Sequence, residues 1–398
     1  MLAALASLVL SPFFLKPGDR VVFYGDSITE QQFYTTEIEA FVRTRYPKMD
    51  TRFWARGWSG DATWGGGGGT PDQRVSRDVK PLDPTVVTVM LGMNDGGYVP
   101  YDQKIYDTFN DWYGKLIGYI KRDAPKARVT LIRTSPWDDI VKDNPPFPGK
   151  KWAPWHGYND TLVRYGKVVL DQAKANHYRY VDFNQPLVSL LISAKAKDAA
   201  LADKIIPDGI HPSAQGHFIM AETLLRSWGA GPVVSSVDLD FEGHQVDDTN
   251  AAHVSDFRGL SWSCLEHALP CPIDFDDKLT ALVMKISNFV EDLDREMLRV
   301  ENLPAGSYSL KIDGEAVGSF SNMDLQNGVN LAVLPTPMVK QSLSVLAAVK
   351  NRSHEDFVRW RGSDKEKAAV SETDDQLNAA EVKLAQPIPH KFELVTLP

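Results

Sequence analysis

At 398 residues, with 43% hydrophobic and 24% charged side chains, the chain is long enough for one large domain plus an attached unit and has an ordinary globular composition. Its formal net charge of −9 argues against a general binder of nucleic acid or anionic membrane, because phosphate recognition needs clustered cations. No stretch is apolar for long enough to span a bilayer, so no integral membrane segment is expected.

The first residues, "MLAALASLVLSPFFLKPGD", contain an apolar run, Leu2–Leu10, like the core of an export signal but without a basic flank. Residues 1–16 are expected to be a signal remnant or an extension packed on the first domain. The expected location is secreted or periplasmic, with the cytoplasm as the alternative.

From Asp19 to Trp228 short apolar runs alternate with helical periods. "RVVFYG", "TRFWARG", "PTVVTVMLG", "RVTLIRTSP" and "YRYVDF" read as strands. "TEQQFYTTEIEAFVRTRYP", "YDTFNDWYGKLIGYIKRDAP", "YNDTLVRYGKVVLDQAKANH" and "AQGHFIMAETLLRSW" read as helices. Such alternation implies βαβ units, hence an α/β domain over residues 17–230 with a parallel sheet covered on both faces.

Beyond the "GAGP" linker the pattern changes. "SSVDLDFEG", "ALVMKISNF", "EMLRVENLPAGSYSLKIDGEAVGSF" and "GVNLAVLP" read as strands joined by turns, a small antiparallel β-unit over residues 231–337. Residues 338–398 read as a helix, amphipathic enough to dock on the first domain, and a tail. Cys264 and Cys271 are close enough in sequence for a disulfide, or they are two free thiols; both readings stand. Nothing in their spacing suggests a metal site, and no cofactor is implied.

Ligands of open parallel sheets bind beyond the carboxyl ends of the strands. Four loops there carry polar residues: Ser27 after the first strand, Gly60 after the second, Asn94 after the third, and Asp208 with His211 before the last helix. A serine hydroxyl needs a base to attack an ester carbonyl, which His211 would supply, with Asp208 holding its tautomer. The backbone N–H groups of Ser27 and Gly60 and the amide of Asn94 would donate to the oxyanion.

The blocks "GDSIT", "SGDAT", "GMND" and "DGIHP", in this order, resemble those of the SGNH (GDSL) hydrolase superfamily, from about Pro17 to Trp228. The resemblance implies a flavodoxin-like three-layer α/β/α sandwich and cofactor-independent ester hydrolysis. It assigns Ser27 as nucleophile, Gly60 and Asn94 as oxyanion donors, His211 as base and Asp208 as its orienting acid. The expected substrate is a small-molecule or carbohydrate ester, foremost a short-acyl, acetylated sugar. A broad esterase, lysophospholipase or thioesterase, an acyltransferase and a non-catalytic carbohydrate-binding protein are the alternatives.

Plainer readings accompany these. Ser27 with Glu30 three residues on fits a helix capping box. Asp26, Asp61 and Thr63 are expected to brace the loops, Asp95 to shape its turn, and His217 to be structural. The aromatics Trp58, Trp64, Tyr98 and Trp137 are candidates for a substrate pocket, as are Tyr101, Trp152 and Trp155, or else ordinary packing. Gly65–Gly69 reads as a backbone-rich loop near substrate or a connector.

Overall fold

The structure, a computed structural model, describes residues 12–138 and 157–398. The run Leu2–Leu10 and the aromatics Trp152 and Trp155 lie outside the described residues.

Five parallel strands form the first sheet: β1 (Arg20–Gly25), β2 (Arg52–Gly57), β3 (Val86–Leu91), β4 (Arg128–Arg133) and β5 (Arg179–Asp182), in the order β2-β1-β3-β4-β5. All six residues of β3 are buried, as a strand covered on both faces requires. The helices between and after them are α1 (Ser27–Glu30), α2 (Phe33–Arg45), α3 (Pro71–Arg74), α4 (Gln103–Asp123), α5 (Tyr158–Asn176), α6 (Asn184–Lys197), α7 (Ala199–Ala202) and α8 (Ala214–Ser227). Helices α2 and α8 pack together, as do α4 and α5, completing the α/β/α sandwich. The strand order reverses direction between β1 and β3, which opens a crevice at the ends of those two strands.

The remainder is more elaborate than one small antiparallel unit. Strands β6 (Val233–Asp240), β7 (Gln245–Asn250), β8 (Ala252–Arg258) and β9 (Ser261–Glu266) lead to helices α9 (Lys278–Ile286) and α10 (Phe289–Leu293). Strands β10 (Arg295–Glu301), β11 (Ser307–Ile312) and β12 (Glu315–Ser321), helix α11 (Asn322–Asn327) and β13 (Val329–Asn330) follow. Helices α12 (Pro337–Arg361), α13 (Asp364–Ala369) and α14 (Asp374–Leu384) and strand β14 (His390–Thr396) end the chain.

These strands make two sheets, ordered β13-β10-β6-β7 and β12-β11-β14-β9-β8. The second is antiparallel throughout, whereas β6 and β10 in the first are parallel. The β-rich region therefore does not stop at residue 337: β14 sits mid-sheet between β9 and β11, drawn in by Phe392 and Leu394.

The segment read as a strand, "ALVMKISNF", is α9 instead. Asp277 caps it by accepting from Thr280 N, and Leu279, Val283 and Met284 are buried at helical spacing. A continuous apolar run fits either period, and here the cap and its neighbours decide. Cys264 and Cys271 are buried free thiols.

Helix α12 packs on α2 and α14. Arg352 is 1% exposed and bonds Glu39 at 2.6 Å, Glu381 at 2.9 Å and Asp374 at 3.0 Å, while Arg43 reaches the same two glutamates. Such a buried network costs desolvation energy on folding, and removing one partner destabilises because it leaves the remaining charges buried without compensation. Among the described residues no helix is long and apolar enough to cross a membrane.

Candidate active site

Strand β1 ends at Gly25, and Asp26 then turns the chain into α1. Its carboxylate accepts from Ile28 N at 3.0 Å, making Asp26 the cap. The capping box expected at Ser27 does not form: the cap is Asp26, one residue earlier, which leaves the Ser27 hydroxyl outside the capping interaction. Glu30 points elsewhere, accepting from Ser59 N and pairing with Arg361.

Ser27 Oγ lies 2.7 Å from His211 Nε2, and His211 Nδ1 lies 2.6 Å from Asp208 Oδ2. Asp208 also folds its own loop, since its other oxygen accepts from the backbone N–H groups of Ile210 (2.9 Å) and His211 (2.7 Å). Burial pushes the His211 imidazole down, but the Asp208 hydrogen bond and charge outweigh this and raise it above 6.5. Burial likewise pushes the Asp208 carboxyl up, and His211 with the backbone donors brings it below its ordinary value. With Asp208 ionised, Nδ1 carries the proton and Nε2 faces Ser27 as an acceptor.

Asp26 is fully buried behind Ser27, and one of its oxygens has no protein partner. Burial pushes its carboxyl up to about 7, against the opposing pull of Ile28 N–H and His211.

The Gly60 and Asn94 loops are stitched to one another. Asn94 Nδ2 donates to Asp61 O at 2.8 Å, and Tyr98 Oη donates to Asn94 Oδ1 at 2.7 Å, holding the amide in one orientation. Asp95 accepts from Thr63 N at 2.8 Å and Thr63 Oγ1 at 2.5 Å, so Thr63 braces its loop as expected, and Asp95, expected only to shape its own turn, ties that turn to the Gly60 loop. Gly60 has φ +78°, a conformation that disfavours side chains. Gly57 is required for another reason: a Cβ there would overlap the backbone of Glu30.

Sequence reasoning missed Arg74, which is fully buried. It donates to Gly25 O (3.2 Å), Arg56 O (2.6 Å), Asp61 (2.8 Å) and Asp78 (3.2 Å), tying the ends of β1 and β2 to the Gly60 loop. A lone arginine in "TPDQRVS" carries no local signal of that role. The Gly65–Gly69 run is folded by two short bridges; Gly68 N donates to Asp61, and the run packs on Trp58 and Arg74.

The aromatic pocket takes a different form from that expected. Among the described residues, a cleft of about 490 Å³ is lined by Ser27, Glu30, Gln31, Phe33, Ser59, Pro207, Asp208, His211, Pro212 and Ser213, and Phe33 is the aromatic among them. Trp58 faces Arg77, Trp360 and Arg361, and Trp64 is 48% exposed. Tyr98 and Trp137 are buried together against Tyr158, and Tyr98 reaches the site through its hydrogen bond to Asn94. Tyr101 stands under the Arg164 guanidinium. His217 is structural: it accepts from Tyr34 N through Nδ1, its Nε2 meets Gln31, and burial pushes it down to about 3.

A flavodoxin-like sheet with a serine, histidine and aspartate in hydrogen-bonded series at its switch point defines a class of hydrolases. Residues 23–219 match the GDSL-like lipase/acylhydrolase family; the chain belongs to it and is a carboxylic ester hydrolase. It is 24% identical over 234 residues to the acetylxylan esterase of Geobacillus stearothermophilus, an alignment spanning 53% of this chain and 94% of that protein. The crystal structure of Axe2, an acetylxylan esterase from Geobacillus stearothermophilus, aligns with 54% of this chain and 96% of its own, at 22% identity and a TM-score of 0.40. A gut microbial diltiazem-metabolizing enzyme shares the fold over 96% of this chain and 98% of its own, at 24% identity and a TM-score of 0.82. The β-rich region and the C-terminal helices are therefore part of a shared whole-chain architecture.

Proposed function

We propose that the chain is a serine esterase that removes short acyl groups, foremost acetyl, from carbohydrate esters. The observation carrying this is the series Asp208–His211–Ser27, with contacts of 2.6 and 2.7 Å at the switch point of the sheet. In this reading Ser27 Oγ attacks the ester carbonyl carbon as His211 Nε2 takes its proton. The tetrahedral oxyanion accepts from the N–H groups of Ser27 and Gly60 and from the Asn94 amide, one of whose two hydrogens serves Asp61 O. The C–O bond to the alcohol then breaks, and the alkoxide leaves with the proton held by His211. Water, deprotonated by His211, attacks the acyl-enzyme; collapse expels Ser27 Oγ, which takes the proton back and releases the acid.

Polar groups support a hydrophilic alcohol moiety: Glu30, Gln31, Ser59 and Ser213 stand on a largely apolar cleft lining that includes the half-buried ring of Phe33, a face on which a sugar can stack. The acetylxylan esterase likeness points the same way.

The test is hydrolysis of p-nitrophenyl esters from acetate to a long acyl chain, together with acetate release from acetylated xylo-oligosaccharides, by wild type and Ser27→Ala. Short-chain activity on both substrate types, abolished by the substitution, is the expected result. Preference for long chains replaces the carbohydrate reading with a lipid-directed esterase, and turnover by Ser27→Ala removes Ser27 as nucleophile. Transfer of acetyl to an added acceptor sugar in preference to water would make the protein an acyltransferase.

A further inference from the structure

The last residue of α12, Arg361, lies far from Ser27 in sequence yet meets the Gly60 loop at several points. Its guanidinium carbon stands 3.6 Å from the centroid of the Trp58 ring, a close cation–π stack. The same group donates to Gly57 O at 3.3 Å and pairs with Glu30 Oε1 at 3.2 Å. The other oxygen of Glu30 accepts from Ser59 N, the residue immediately before Gly60. Loop positions 57, 58 and 59 are therefore each held directly by Arg361 or by the glutamate that Arg361 orients. Trp360 adds an edge contact to Trp58 at 5.8 Å.

We infer that Arg361 is a positioning residue, through which the C-terminal helix sets the direction of the Gly60 N–H. The inference rests on the oxyanion role proposed for Gly60. Nothing stands within 4 Å of where a Cβ of Gly60 would point, so no side chain packs on that side of the residue. Its direction is inherited from its neighbours: Asp61 on one side is held by Asn94 and Arg74, and residues 57–59 on the other are held by Arg361 and Glu30. A planar fork suits this task, since one face stacks while its edge donates to a carbonyl and a carboxylate.

An oxyanion donor acts most strongly in the transition state, so a misplaced one lowers kcat while leaving KM nearly unchanged. The experiment measures kcat and KM for p-nitrophenyl acetate, with thermal unfolding in parallel, on the full chain. The variants are Arg361→Ala, Arg361→Lys, Ser27→Ala and Asp356→Ala. Asp356 belongs to the same helix and pairs with Arg56 at 2.6 Å, so its loss loosens helix docking without removing a contact of Arg361.

The expected result is a kcat lowered roughly ten- to a hundred-fold in Arg361→Ala, below the roughly 10²–10³ of deleting a donor, with KM within about two-fold. Arg361→Lys falls between this and wild type, and Asp356→Ala keeps kcat within about two-fold. Wild-type kcat in Arg361→Ala overturns the inference, as does an equal loss in Asp356→Ala. Should Arg361→Ala not fold, Arg361→Lys decides: folded with wild-type kcat, it also overturns the inference. An inactive Ser27→Ala beside an unimpaired Arg361→Ala leaves the esterase reading intact and removes only this inference. An active Ser27→Ala removes the reading itself.

Discussion

His211 Nε2 lies 2.7 Å from Ser27 Oγ across 184 positions of sequence. Two local devices bring them together. The abrupt end of β1, capped by Asp26, presents the serine, and the Asp208 turn presents the histidine. One carboxylate thus shapes the loop through one oxygen and orients the imidazole through the other.

Asp208→Asn should change the pH profile as well as the rate. A general base must be neutral, so kcat/KM grows in as His211 loses its proton, and the raised pKa places that limb above 6.5. Removing the anion leaves burial, the largest influence, which lowers the pKa against the smaller opposing pull of Asp26, so the limb moves to lower pH. The plateau rate falls by roughly 10²–10⁴ because the tautomer is no longer enforced. Rate against pH for both proteins checks this, and an unmoved limb would assign the titration to another group.

Asn94 and Tyr98 should separate by size of effect. Asn94→Ala removes a donor, with an expected loss of roughly 10²–10³ in kcat. Tyr98→Phe removes only the hydroxyl that holds the Asn94 amide, so its expected loss is roughly three- to ten-fold, about 1 kcal/mol. Steady-state kinetics on p-nitrophenyl acetate would expose a wrong assignment as a reversed order.

Arg74→Met should destabilise the fold by about 3–5 kcal/mol, because it leaves the Asp61 carboxylate buried without its cation. Arg74→Lys recovers only part of this, since one ammonium cannot serve two carbonyls and two carboxylates arranged around a fork. Urea unfolding of the three proteins reads the difference. A loss under about 1 kcal/mol would show that the loop relaxes around the gap.

The two cysteines should titrate only after unfolding. Both are buried, and burial raises both thiols, so a thiol reagent should label none in the native protein and two in denaturant, with or without prior reduction. Labelling that requires a reductant would instead indicate a disulfide.

The parallel sheet was legible because buried strands and amphipathic helices have distinct periods, and because short polar blocks follow the strands. The α9 segment was not: four consecutive apolar residues satisfy either period, and the decisive Asp277 cap looks like an ordinary turn residue. The terminal strand β14 was hidden as well, because its partners β9 and β11 lie far back in the chain.

By itself the sequence determined the α/β class, the order of its strands along the chain, and which residues stand at their ends, since periodicity and turn chemistry are local. It also named Ser27, Asn94, Asp208 and His211 as residue types able to do acyl chemistry. Only the tertiary structure decided that Asp26 rather than Ser27 caps α1, that Trp58 faces Arg361 rather than the cleft, and that Arg74 and Tyr98 hold the loops. Those outcomes depend on distances between segments remote in the chain, and a long polar or aromatic side chain takes whichever partner the folded backbone brings within hydrogen-bonding or stacking distance.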